Sequence, residues 1–146
     1  MSGSGDSEGD GTMSGLEAMR IAAEPDVTAP DGSEIRILLG LGGGGMAHFQ
    51  LAPGEVSVAV RHRTVEEIWF VAGGTGRMWR HLGDEERTDV LEPGVCLTIP
   101  VGTTFQFCSL GPDPLQILGV TMPPWPGPGE AISAEGPWEP TVEPGE

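Results

Sequence analysis

Residues 54–74 read GEVSVAVRHRTVEEIWFVAGG, and they carry the clearest structural signal in the chain. Val56, Val58 and Val60 alternate with Ser57, Ala59 and Arg61, the period of two that gives a β-strand one apolar face. His62 continues the apolar parity, which places its imidazole inside. After a short polar break, Glu67 to Ala72 form a second apolar run closed by Gly73-Gly74. Glu66 and Glu67 are neighbours, so on a strand they point to opposite faces.

The same texture extends in both directions. Short runs at 34–40, 46–51, 55–62, 67–72, 77–82, 88–92, 96–100, 105–110 and 114–121 are bounded by glycine or proline. Ala52-Pro53-Gly54, Glu92-Pro93-Gly94 and Gly111-Pro112 are turn sequences. Nine strands at this spacing, without a helical period among them, predict an all-β sandwich or barrel. The four glycines Gly42 to Gly45 lack the Lys-Ser/Thr of a phosphate loop and are expected to make a turn. Only Gly15 to Ala23 hints at helix, with one or two turns that need docking to persist.

The ends differ from the middle. The first fifteen residues, MSGSGDSEGDGTMSG, are nearly all small or acidic and predict disorder, with 1–30 as a disordered or loosely docked segment. From Met122 onward the chain holds seven of its fourteen prolines, which bars a regular central strand. The expected organisation is therefore a β-barrel over 31–121 and a Pro/Gly-rich tail over 122–146. Trp125 and Trp138 in that tail have the apolar area to anchor it onto the barrel or a partner.

The net charge of −15 excludes a phosphate-tracking nucleic-acid binder and electrostatic docking on anionic lipid. No window of eighteen apolar residues occurs, and no signal-peptide pattern opens the chain. Cys96 and Cys108 have no zinc spacing and are expected as inert thiols in a cytoplasmic protein. Every cation is arginine and tyrosine is absent, a bias that GC-rich bacterial coding produces.

Two segments resemble the conserved motifs of the cupins. In 54–74, Gly54, His62, Glu67 and Gly74 match the first motif, while Val60 falls where the family has its first histidine. In 94–105, GVCLTIPVGTTF, Gly94, Pro100 and Gly102 match the second motif, while Phe105 takes its histidine position. The resemblance spans roughly 34–121. It implies a double-stranded antiparallel β-barrel of cupin or jelly-roll type, often a homodimer, with its site inside the barrel mouth. It also implies a divalent metal (Fe, Mn, Ni, Cu or Zn) held by three histidines and a glutamate.

Of those ligands only His62 and Glu67 remain, so the site is either a degenerate metal centre or metal-free. His48 is the candidate third metal ligand, although Phe49 and Leu51 compete with it for the core and favour an outward ring. His81, near the hairpin tip Gly83-Asp84, is expected to be exposed. Without metal, His62 and Glu67 form an acid–base pair in which the carboxylate favours the imidazolium. Strand parity lines the interior with Val58, Val60, Trp69, Val71, Phe105 and Phe107, which make either an apolar pocket or a filled core. The expected function is binding of a small, mainly apolar metabolite, as a cyclase-, isomerase- or dioxygenase-type enzyme or as a non-catalytic binding barrel.

Overall fold

The computed structural model describes residues 15–145; the first fifteen residues, where disorder is expected, lie outside them but for Gly15. The described residues form eleven strands and no helix: β1 (Val27–Thr28), β2 (Glu34–Leu41), β3 (Gly44–Leu51), β4 (Val60–His62), β5 (Glu66–Gly73), β6 (Gly76–Leu82), β7 (Glu85–Leu91), β8 (Cys96–Ile99), β9 (Thr104–Ser109), β10 (Leu115–Met122) and β11 (Ala131–Ser133). They make a six-stranded sheet, β1-β2-β3-β10-β5-β8, and a five-stranded sheet, β11-β4-β9-β6-β7. Every ladder is antiparallel. The result is the all-β fold that the strand spacing predicts, of the jelly-roll type that the cupin resemblance implies.

Inner faces of both sheets supply one core. Phe49, Leu51, Trp69, Val71, Leu115 and Ile117 come from the six-stranded sheet, and Val60, Met78, Leu91, Phe105 and Phe107 from the five-stranded one. The turn chemistry works as its sequence requires. Val95 N donates to Glu92 O at 3.0 Å across Pro93-Gly94, and Gly94 has φ +97°, the left-handed position a type II turn reserves for glycine. Gly42 and Gly43 make the turn between β2 and β3, with Leu41 paired to Gly44.

Three expectations change. Residues 15–23 are not helical. Leu16, Met19 and Ile21 are exposed, so no surface buries an apolar helical face, and the segment is tied to β2 by Arg36, which donates to the carbonyls of Ala22 and Ala23. The run 55–62 keeps regular pairing only over Val60–His62, with an isolated bridge from Val56 to Cys108. The seventh strand starts at Glu85 rather than Thr88, because the acidic run after the hairpin tip continues the ladder on an open edge.

The tail explains the irregular run. It supplies edge strand β11, paired to β4, and then crosses the outer face of the five-stranded sheet. Gln106 Nε2 donates to both Ser57 O and Trp138 O at 2.8 Å, and Trp138 N donates to Gln106 Oε1 at 3.1 Å. Val56 N donates to Thr141 Oγ1 at 2.9 Å, and Arg77 stacks over the Trp138 ring. Ser57, Ala59 and Gln106 are thereby buried on the face that alternation assigns to solvent. Gly145 N donates to Ala29 O, closing the tail onto the start of the six-stranded sheet.

Candidate functional site

His62 ends β4 and Glu67 lies near the start of β5, separated by the turn Arg63–Val65. Both are buried, at 5% and 4% exposure. His62 Nδ1 stands 3.2 Å from Glu67 Oε2. The approach is close but not aligned for a hydrogen bond, and Nδ1 has no other partner. The other carboxyl oxygen of Glu67 accepts from Trp69 Nε1 at 2.6 Å.

Glu130 fixes the turn between them, just ahead of β11. Its carboxylate accepts from Thr64 N at 2.7 Å, Val65 N at 2.8 Å and Thr64 Oγ1 at 2.7 Å. Burial opposes the charge of Glu130, but these donors and the nearby His62 outweigh it and hold its pKa below the ordinary value.

Burial works against charge on both members of the pair. Burial pushes Glu67 up to about 8, against the Trp69 hydrogen bond and with help from the Asp31 charge. Burial pulls His62 down to about 4, only partly offset by Glu130. Burial thus pushes each group toward its neutral form, against the carboxylate–imidazolium pair expected from sequence.

That setting is continuous from core to surface. Phe49 stacks on Trp69 at 5.4 Å, and Trp69 meets Phe105 and Phe107 edge-on. Phe105 meets the His62 ring at 5.2 Å, and Trp125 meets it from another side at 5.0 Å. Trp125 is half-buried, so it closes the site at the surface. Val60, Trp69, Val71, Phe105 and Phe107 are each 1% or 2% exposed and Val58 is partly buried. These side chains fill the interior rather than walling an open cavity.

Other candidates are not brought in. His48 points away from the core, opposite Phe49 and Leu51 on β3, yet it is 5% exposed, and its Nε2 lies 3.0 Å from Gln116 Oε1. It occupies the far face of the six-stranded sheet, so it is not a third ligand beside His62 and Glu67. His81 is exposed and stacks near Trp79. Glu66 is exposed, Cys96 exposed and Cys108 buried. Trp125, Glu130 and Asp31 were not singled out as site residues from sequence. The only legible trace was the large apolar area of Trp125 in a proline-rich stretch.

Several solved structures share this architecture. Oxalate decarboxylase of Bacillus subtilis superposes with a TM-score of 0.63 at 19% identity, over 75% of this chain and 29% of its own. CapF, a capsular polysaccharide assembling protein of Staphylococcus aureus, gives 0.64 at 17% identity, over 79% of this chain and 33% of its own. A Bacillus halodurans protein gives 0.58 at 19% identity, over 68% of this chain and 76% of its own. The chain has a cupin fold. It spans about a third or less of the oxalate decarboxylase and CapF chains it matches. No protein-family model and no curated protein matches the sequence.

Cupin-fold proteins include ones with metal centres, such as the Mn(II) centres of the Bacillus subtilis oxalate decarboxylase. The donors here do not fit such a centre. Val60 and Phe105, at the two absent histidine positions, are direct partners across the β4–β9 ladder, so two donors are lost at one spot. Among the described residues no three His, Cys, Asp or Glu side chains converge. One imidazole and one carboxyl leave a transition metal too few ligands.

Proposed function

We propose that the chain is a small-molecule-binding cupin domain that works without a resident metal, its ligand meeting the His62–Glu67 pair in place of Trp125. The observation that carries this reading is the unpartnered Nδ1 of His62. A buried polar atom without a partner is costly, roughly 1–3 kcal/mol, and asks for a reason. The indole of Trp125 is held by a short tail segment and packs edge-on against the imidazole. A flat, mainly apolar molecule with one polar edge is the matching ligand class, since it replaces aromatic contact with aromatic contact and can also bond to the pair.

Acid–base catalysis is the second reading. It is favoured by Glu67, which keeps its proton up to about pH 8, beside an imidazole free to accept one. Among the described residues no helix is long and apolar enough to cross a membrane; the working location proposed is the cytoplasm, where both thiols stay reduced. A homodimer is the proposed unit, supported by the exposed apolar side chains Met46, Ile68 and Phe70 on the outer side of the six-stranded sheet; light-scattering mass decides it.

The ligand reading is tested with 2-naphthol as probe, following the four tryptophan indole N–H signals by NMR. The expected result is saturable shifts at Trp69 and Trp125, weakened in His62→Ala, with Trp79 and Trp138 unmoved. Uniform or absent shifts overturn it.

A further inference from the structure

We infer that residues 123–129, PPWPGPG, form a lid that swings off the His62–Glu67 pair on a pivot at Glu130, while the rest of the tail stays docked. The inference deepens the ligand reading above and rests on it: the lid decides when a ligand can take the place of Trp125.

Both ends of the span are fastened beside the pair. Met122, at the end of β10, is the ladder partner of Glu66, the neighbour of Glu67. Ala131, at the start of β11, is the ladder partner of His62. The span therefore bridges from one member of the pair to the other. Trp125 lies within it, its indole edge-on to the His62 ring at 5.0 Å.

The anchors are well bonded and the span is not. Among the described residues it makes no backbone hydrogen bond to either sheet; Glu130 N to Gly127 O, at 3.3 Å, is a bond within its own last turn. Pro123, Pro124, Pro126 and Pro128 are exposed and have no N–H to donate. Their fixed φ stiffens the span, so it moves as one piece. Its freedom lies at Gly127 and Gly129, with φ +123° and +91°. A Cβ at either would meet no other atom, so glycine serves there for backbone conformation and not for room.

Glu130 closes the span and is held in place. Its buried carboxylate accepts from Thr64 N, Val65 N and Thr64 Oγ1, and its carbonyl accepts from Arg63 N at 2.9 Å. These bonds tie it to the turn that joins His62 to Glu67. Local opening takes the least-bonded stretch first, so the lid leaves before Glu130 does. Glu130 is thus a positioning residue, acting on His62 through the place where it sets Trp125 down.

The first test needs no ligand. Carbethoxylation of His62 is compared in the parent, Glu130→Gln and Glu130→Ala, with hydrogen exchange at the Trp138 amide reporting whether the tail is docked. Glu130→Ala removes the side-chain bonds but leaves the pairing of Ala131 with His62. It should speed His62 modification about tenfold, the loss of one hydrogen bond to a charged group, with Trp138 exchange unchanged. Glu130→Gln keeps an acceptor oxygen and should return the rate toward that of the parent. The inference is overturned if Glu130→Ala reacts at the parental rate, if Glu130→Gln brings no recovery, or if Trp138 exchange rises as well, since the tail then comes off whole.

The second test adds 2-naphthol to saturation. The Trp125 indole signal should shift while the Thr64 and Val65 amides keep their slow exchange. Faster exchange at Thr64 and Val65 means that Glu130 leaves with the lid, which overturns the pivot and leaves the ligand reading standing. Failure of 2-naphthol to bind removes the ligand reading alone, and the Glu130 variants still decide the lid.

Discussion

Val60 and Phe105 sit directly opposite each other on β4 and β9, each all but inaccessible to water. An apolar pair thus fills the spot where the cupin resemblance expects two imidazoles. The consequence is a core in which the remaining imidazole and carboxyl answer to burial rather than to a cation.

The double substitution Val60→His with Phe105→His should therefore restore a three-imidazole set beside Glu67. Calorimetric titration with Mn(II) or Zn(II) is expected to give one-to-one binding in the variant and none at that site in the parent. Replacing buried Phe105 costs about 2–4 kcal/mol of stability, so the titration is paired with a thermal melt in each metal.

Stability should fall as pH rises above neutrality. Glu67 moves from an ordinary 4.5 to about 8, so the stability tied to its protonated form is fully present below 4.5 and is lost as pH climbs to about 8. His62 moves from 6.5 to about 4, so its share is present above 6.5 and is lost as pH drops through 4. The two slopes oppose each other between 4.5 and 6.5, which leaves a plateau. Between 6.5 and 8 Glu67 acts alone, with a limiting slope of about 1.4 kcal/mol per pH unit. Melting temperatures across this range should decline in the parent and flatten in Glu67→Gln; a flat parent curve rules out the neutral carboxyl.

Trp125→Ala should uncover His62. Carbethoxylation of His62, followed by mass spectrometry, is expected to accelerate in the variant while exposed His81 reacts at its parental rate. Losing the half-buried indole should cost about 1–2 kcal/mol. Equal His62 reactivity in both proteins means that Trp125 is not its cover.

Gln106→Leu should loosen the tail. It leaves the carbonyls of Ser57 and Trp138 and the amide of Trp138 without the partners they have now. Urea unfolding is expected to show a loss of about 2–4 kcal/mol, with faster hydrogen exchange at Trp138. Gly136→Ala acts on the same contact sterically, since a Cβ there falls 2.2 Å from Gln106 Oε1.

The sheets were legible because two physical signals coincide: alternation on strands such as 66–73, and proline-glycine turns such as Pro93-Gly94. The absence of two ligands was legible too, because Val60 and Phe105 have no donor atoms. Burial of Ser57, Ala59 and Gln106 was not legible, since their cover arrives from residues 131–141, and alternation reports only one strand at a time. His48 shows the same limit: its outward direction followed from Phe49 and Leu51, but not the shelter its ring finds beside Gln116. The charge state of His62 and Glu67 depended on how dry their surroundings are, which Trp69, Phe105 and Trp125 decide jointly.

Strand β11 shields one side of β4, and that has a bearing on how the protein ages in a tube. A nick that frees residues 131–145 would bare the main-chain donors and acceptors of Val60–His62 and the greasy strip around Ala59. Another molecule could then add a strand of its own along that rim. Preparations clipped in this segment should cloud and sediment long before intact protein does.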